Sequence, residues 1–336
     1  MPGNGNVHGH DIRQSVMIGD ASDIGLHRGM RILRNEGINP VVSMEFSASD
    51  YGVLCGIEEI KVLLSKVLPE SNREVWALDD GDHISPTEVA LRITAAYGTF
   101  GLYETSINGI LSNSSGWASA ARECVTAAEG IPIIAIPASY VHPNITHIVD
   151  SASIVGGCVS CSTILGSRLS GTNPVSTLSP NIALIIGDTL RTMQAFDKHI
   201  PKEIPRVAPA SVLRDEIEES INLANALKQR LRGVVLNGYH NGGSVSPSLV
   251  KELRARLDLT NHQHVEIIVS GLLTPDAITE FIDEGSPVNA FEIGEYIGTA
   301  SSLTFVASIH EIDGKPASVR GTIPGITNNP RLAQVM

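Results

Sequence analysis

The chain has 336 residues, 42% of them hydrophobic and 18% charged, with 24 Lys and Arg against 36 Asp and Glu for a formal net charge of −12. That length can bury a substantial core as one large domain or two. The acidic balance argues against a nucleic-acid or anionic-membrane surface, which needs clustered Lys and Arg. The N-terminal MPGNGNVHGH holds no apolar signal core, and no run approaches the length of a membrane span, so the expectation is a cytosolic protein.

In chain order, LHRGMRILRNEG (26–37) and GIEEIKVLLSKVL (56–68) carry helical periodicity, interleaved with strand-like NPVVSMEF (39–46) and REVWALDDG (73–81). This mixture predicts an α+β layer over residues 1–112. Ser114, Ser115 and Gly116 read as the opening of a helix, WASAAREC, with N–H groups available to an anion. From about residue 130, short β-rich runs alternate with helical stretches. The runs are IPIIAIP (131–137), SIVGGC (153–158), IALIIG (182–187), RVAPASV (206–212), GVVLNG (233–238), HVEIIVSG (264–271) and NAFEIG (289–294). Such alternation implies a parallel sheet, and runs ending in Gly, Asn and Ser suit a barrel with its site at the C-terminal strand ends. Asp188, Asp215 and Thr274 read as helix N-terminal caps and Gly285 as a C-terminal cap. The tail, SLTFVASIHEIDGKPASVRG, reads as a hairpin around Asp313-Gly314. The expected division is therefore an α/β layer of residues 1–112 with 302–336 returning to it, and an incomplete barrel of residues 113–301.

Four cysteines, Cys55, Cys124, Cys158 and Cys161, are too few for a disulfide framework. Cys158 and Cys161 form a C-x-x-C with no second pair, which favours two small buried residues at a strand end over a redox or metal role. His262 and His264 in NHQHVEIIV read as solvent-facing residues before a strand. NAFEIGEYIGTAS (289–301) reads as a buried strand entering a glycine-bearing turn. Turns of that kind often cradle phosphate with free N–H groups, yet this one carries Glu292 and Glu295 where an anion would sit.

Several segments together resemble the shorter, archaeal-like nicotinate phosphoribosyltransferases. These are YGVLCGIEEIKVLL, YETSINGILSNSSGWASAAREC, VHPNITHIVDSASIVGGC, IALIIGDTLRTMQAFDKHIPKEIPR and HVEIIVSGLLTPDAI, in order over nearly the whole chain. The resemblance implies an α/β sandwich plus an irregular, incomplete (β/α) barrel, and an active site shared between the barrel of one subunit and the sandwich of another. It also implies transfer of a ribosyl phosphate to nicotinate, a reaction needing cations and a phosphorylatable histidine. Those are the positions where this chain departs. The family's histidine in the motif before IALIIG is Pro180 here, and its Arg-Arg pair is Ser139-Tyr140, followed by the retained His142-Pro143. Its Asp-Thr-Phe is Ser211-Val212-Leu213, and its Arg-Leu-Asp is Val235-Leu236-Asn237. Its G-V-G-T phosphate turn is Glu292–Glu295. A lysine in the last hairpin is Val319, although Arg320 remains, and a Tyr-Phe pair after Asp23 is Ile24-Gly25-Leu26.

The departures remove positive charge and add negative charge, so phosphoribosyl pyrophosphate and nicotinate lose their expected counter-ions. The expectation is a divergent glycosyltransferase with catalytic residues Glu292, Glu295, His240 and Asn237. Glu104, Ser139, Tyr140, His142, Tyr239, Ser270, Gly271, Gly294 and Arg320 are the expected substrate-binding residues. The branch whose losses fit is the lincosamide-pathway S-glycosyltransferase type, which joins a GDP-activated sugar to ergothioneine. Two alternatives stay open at this point: a catalytically inactive paralogue that partners an active enzyme, and an ordinary nicotinate phosphoribosyltransferase. Phosphate-bearing donors commonly bring Mg2+, but no carboxylate cluster with metal geometry is visible. The resemblance implies a homodimer or higher homo-oligomer acting on small molecules, without nucleic acid or membrane.

Overall fold

A computed structural model of the chain describes residues 12–210, 212–238 and 245–336. In chain order its strands are β1 (Val41–Ala48), β2 (Gly52–Val53), β3 (Glu74–Ala77), β4 (His83–Ile84), β5 (Val89–Ala96), β6 (Ile133–Ala135), β7 (Ser160–Cys161), β8 (Arg206–Pro209), β9 (Leu231–Asn237), β10 (Glu266–Gly271), β11 (Ala290–Ile293), β12 (Phe305–Ile312), β13 (Lys315–Pro316) and β14 (Ala333–Gln334). Two compact units divide the chain, one of residues 1–119 with 300–336 and the other of residues 120–299.

The first unit is built on a sheet ordered β13-β12-β1-β5-β3-β14. β12 and β13 form the hairpin expected around Asp313-Gly314, whose positive φ values of 49° and 70° suit its two-residue turn. β1 and β5 pair antiparallel, and with helix Ile57–Val67 they enclose a core that includes Phe46, Ile60, Leu63, Leu91, Ile93 and Phe100. Asp80 starts that helix, its carboxylate accepting from Ile57 N at 2.8 Å and Glu58 N at 3.3 Å. Burial raises the Asp80 carboxyl to about 6. Burial, then the Asp80 charge, raises Glu59 to about 7. On the other side of the sheet Glu45 is buried against Arg92 Nε at 2.8 Å and Thr327 N at 3.0 Å.

The second unit is an open parallel sheet ordered β7-β6-β11-β10-β9-β8. Each strand pairs with its neighbour in sequence except at two places: β11 closes onto β6, and β7 and β8 do not pair. That is a barrel with one unclosed seam, the architecture implied by the strand–helix alternation. Arg206 pins the seam-side strand β8. It is 4% exposed, donates to Asp197 Oδ1 at 3.1 Å, Pro201 O at 2.8 Å and Ile200 O at 2.9 Å, and lies over the Phe196 ring. Replacing it, as Arg206→Met, leaves those carbonyls without their donor and Asp197 with Arg230 as its remaining arginine partner. The expected loss is about 3 kcal/mol of unfolding free energy in a urea titration; an unchanged midpoint would show that the cluster contributes nothing net.

Four expectations fail here. IALIIG is not a strand but helix Pro180–Ile186, with Pro180 at its first turn and Gly187 ending it at φ 85°. Its apolar residues do not fill a core, since Leu184 and Ile185 are 62% and 80% exposed. SIVGGC is mostly the end of helix Thr146–Val155, and the strand comes later at Ser160–Cys161. Ser114–Gly116 lie inside helix Glu104–Ala127, so no helix opens there for an anion, and the Ser115 hydroxyl accepts from Cys55 N instead. Asp188, Asp215, Thr274 and Asp23 do cap helices with their side chains. Cys158 and Cys161 are buried free thiols. His262 does not face solvent: it is buried, its Nε2 is 2.9 Å from Asn225 Oδ1, and burial lowers its pKa.

Candidate active site

The period-two geometry of the parallel strands builds the site. Val235, Ile268 and Ala290 on β9, β10 and β11 pack with Ile134 into an apolar cluster, with Ile136 and Val207 against it. Two residues further along, the same face carries Asn237, Ser270 and Glu292, and these three are register partners across adjacent strands. An apolar floor thus ends in a polar layer at the C-terminal ends of the strands, where α/β sheets hold their ligands.

Above that layer lies a cavity of about 380 Å3. Its walls come from β6 and the turn after it (Ile136, Ser139), from Ser162 and Thr163 after β7, and from the 176–180 segment. Ser139, Ser176, Thr177 and Ser179 add hydroxyls, while Pro209, Ala210 and Val235 add apolar wall. Among the described lining residues Glu292 alone carries a charge, and no Lys, Arg or His lines the cavity.

Glu292 is 5% exposed. Burial raises its carboxyl to about 7, and the Ser270 hydroxyl hydrogen-bonded to it keeps the rise smaller. Asn237 Nδ2 in turn donates to Ser270 Oγ at 3.5 Å. Gly271 continues β10 at φ 122°, where a Cβ would meet Asn237 Oδ1 at 3.3 Å, so glycine keeps that amide in place. Asp150 supports the opposite wall: fully buried, it accepts from the Thr163 hydroxyl, which itself accepts from Gly166 N at 3.0 Å. Thr163 is therefore fully committed to holding the wall.

The structure brings Glu292, Asn237, Ser270 and Ser139 together around the cavity, with Gly271 against Asn237, while Glu295, Gly294, Tyr140 and His142 do not line it. Glu295, expected beside Glu292 in one turn, is exposed and lines no part of the cavity: β11 ends at Ile293, and Glu295 begins the short helix Glu295–Gly298. One acid lies on the strand and the other opens the helix, and they do not form the paired lining that the turn suggested. Gly294 serves packing, since a Cβ there would sit 2.7 Å from Tyr140 Cε2 and 3.0 Å from Ile136 O. Tyr140 covers that glycine and is 42% exposed, its pKa raised by burial and then by Glu295. His142 is an exposed turn residue whose Nδ1 accepts from Asn144 N at 3.1 Å. Glu104, with a pKa raised by burial, and the exposed Arg320 belong to the first unit. Tyr239, His240 and Ser211 fall outside the described residues. Missed in the sequence were the hydroxyls of Ser162, Ser176, Thr177 and Ser179; Ser/Thr clustering in SCST and STLS just past strand ends was the available signal. Among the described residues no group of three or more His, Cys, Asp or Glu is arranged to hold a metal ion.

A family model for the quinolinate phosphoribosyl transferase N-terminal domain matches residues 29–115. The structure is similar to that of the nicotinate-nucleotide pyrophosphorylase from Pyrococcus furiosus, with 30% identity, a TM-score of 0.86, and coverage of 94% of this chain and 82% of that one. Human nicotinic acid phosphoribosyltransferase shares the fold at 17% identity and a TM-score of 0.70, over 91% of this chain and 77% of that one. The curated nicotinate phosphoribosyltransferase pncB2 of Mycobacterium tuberculosis is 27% identical over 230 residues, which is 68% of this chain and 48% of that protein. The chain thus spans about half the length of that relative.

Proposed function

Because this chain belongs to the nicotinate and quinolinate phosphoribosyltransferase family, we propose that it is a transferase that moves a glycosyl group at the Glu292 cavity, and that the acceptor seated against Glu292 carries neither phosphate nor carboxylate. The observation that carries this reading is the cavity's charge: one buried carboxylate among hydroxyls and an amide, with no cation among the described lining. A phosphate oxygen about 4 Å from an ionised Glu292 would be repelled by about 4 kcal/mol per charge pair at an effective dielectric near 20. The same carboxylate stabilises an oxocarbenium-like transition state and accepts hydrogen bonds from sugar hydroxyls or a protonated ring.

In its finer form the donor is a nucleotide-diphosphate sugar such as a GDP-sugar. The acceptor is a small N- or S-heterocycle such as ergothioneine, in a pathway of the lincosamide-antibiotic kind. Mass-spectrometric analysis of products from GDP-sugars and ergothioneine-like acceptors tests it, with transfer expected. Formation of nicotinate mononucleotide from nicotinate and phosphoribosyl pyrophosphate would instead favour a second reading, drawn from the relatives' names, in which the chain serves NAD synthesis.

We also propose that the chain works as a homo-oligomer. The amphipathic helix Ile24–Asn35 has no buried residue, and Ile24 and Ile32 on it are 59% and 62% exposed. A second copy covering that helix would remove this apolar surface from water. Light scattering after size exclusion should give a dimer or larger, and Ile24→Asp with Ile32→Asp should shift it toward monomer. A monodisperse monomer of the unaltered chain would contradict the proposal.

A further inference from the structure

We infer that the acceptor is a heterocycle that loses a proton when glycosylated, an azole N–H or a heteroaryl thione, and that Glu292 takes that proton while Ser270 and Asn237 hold its carboxylate in position. The inference rests on the reading of the cavity as a glycosyl-transfer site.

The direction of the hydrogen bonds supports it. The Asn237 amide donates to Ser270 Oγ at 3.5 Å, and the Ser270 hydroxyl donates to Glu292. The three residues are register partners on β9, β10 and β11, so the sheet fixes the row. The row ends on a carboxylate that, when ionised, can only accept. Among the described residues the elements packed around it offer no competing base: Ile134 from β6 and Ile136 just after it, Ser270 from β10, Asn237 from β9, and hydroxyls from the 176–180 segment. The Thr163 hydroxyl is tied between Asp150 and Gly166 N. Tyr140 and Glu295 line no part of the cavity. A proton released there therefore has one destination among the described residues. A pyridine-type nitrogen attacks through a free lone pair and has no proton to give, so a buried carboxylate titrating at about 7 offers it no base catalysis.

The step balances without a further reagent. The acceptor nitrogen or sulfur forms a bond to the anomeric carbon. The bond from that carbon to the donor's diphosphate oxygen breaks, and its electron pair leaves on the phosphate. The acceptor's N–H proton passes to Glu292 and is lost to water when the product departs.

The pH–rate profile of the full chain, with a GDP-sugar donor and an imidazole-2-thione acceptor, tests this. In the unaltered protein kcat should rise with pH through about 7, where Glu292 ionises. Glu292→Gln should lower kcat by about a hundredfold or more and abolish that rise. Ser270→Ala removes the hydrogen bond that stabilises the ionised form, so it should move the rise to higher pH, a change that loss of folding would not produce. If the protein glycosylates the thione but Glu292→Gln keeps both kcat and the pH limb, the inference falls and the functional reading stands. If the unaltered protein uses only a neutral pyridine acceptor, the inference alone falls; if it glycosylates no heterocycle at all, both are overturned.

Discussion

Glu292→Gln is expected to stabilise the fold by about 3 kcal/mol above pH 7 and to change it little below pH 4. The carboxyl titrates near its ordinary value of 4.5 when unfolded and at about 7 when folded. Its proton is thus held more tightly in the native state. The stability from that proton is fully present below 4.5 and is lost as pH rises through about 7. A difference of roughly 2.5 pH units corresponds to about 3 kcal/mol, to order of magnitude. Glutamine keeps the shape and the hydrogen bond from Ser270 without a charge to bury. Urea titrations of both proteins at pH 4, 6 and 8 would show the gap opening between the first and last. Parallel stabilities across that range would mean that Glu292 is solvated or paired in a way the cavity does not show. A buried acid that weakens the fold at neutral pH, with no cation beside it among the described residues, is what a site kept for chemistry looks like.

The other large effect has the opposite sign and involves the same residue type. Glu45→Leu is expected to destabilise the first unit by about 3 to 5 kcal/mol, since it breaks a buried pair. Glu45 is 1% exposed and accepts from Arg92 Nε at 2.8 Å and Thr327 N at 3.0 Å, with His310 Nε2 at 3.6 Å. Leucine would leave the largely buried guanidinium and the Thr327 N–H without their partner. The double change Glu45→Leu with Arg92→Met should recover much of the loss, because it removes both charges. If the single change costs under about 1 kcal/mol in urea, the cluster has water access and the pairing is only that of a surface ion pair. Two buried glutamates thus separate by their surroundings: Glu45 is ion-paired and structural, while Glu292 meets the Ser270 hydroxyl and no cation among the described residues.

Much of this arrangement was legible in the sequence because strand physics is local. In VVLN, IIVS and AFE an apolar residue is followed two places later by Asn, Ser or Glu, and β9, β10 and β11 turn that pattern into the cavity's floor and rim. The Asp313-Gly314 hairpin and the capping acids were legible for the same reason. IALIIG was not, because a six-residue apolar run fits a buried strand or a helix equally by periodicity. The deciding signals were Ser179-Pro180 before it and Gly187 after it, which start and stop a helix. The paired lining expected of Glu292 and Glu295 failed because it needed the place where β11 ends, and tertiary packing sets that point. Tyr140 seated on Gly294 lets the chain turn into a helix there, carrying Glu295 away from the cavity. The role of Asp150 in bracing Thr163 depends on a long-range contact that no local pattern announces.

The most direct test is a crystal structure of the protein soaked in parallel with a GDP-sugar plus a thione acceptor, and with phosphoribosyl pyrophosphate plus nicotinate. The account predicts the acceptor heterocycle hydrogen-bonded to Glu292, with the donor's diphosphate turned away from that carboxylate. A phosphate or nicotinate carboxylate seated against Glu292 and the 176–180 segment would contradict it.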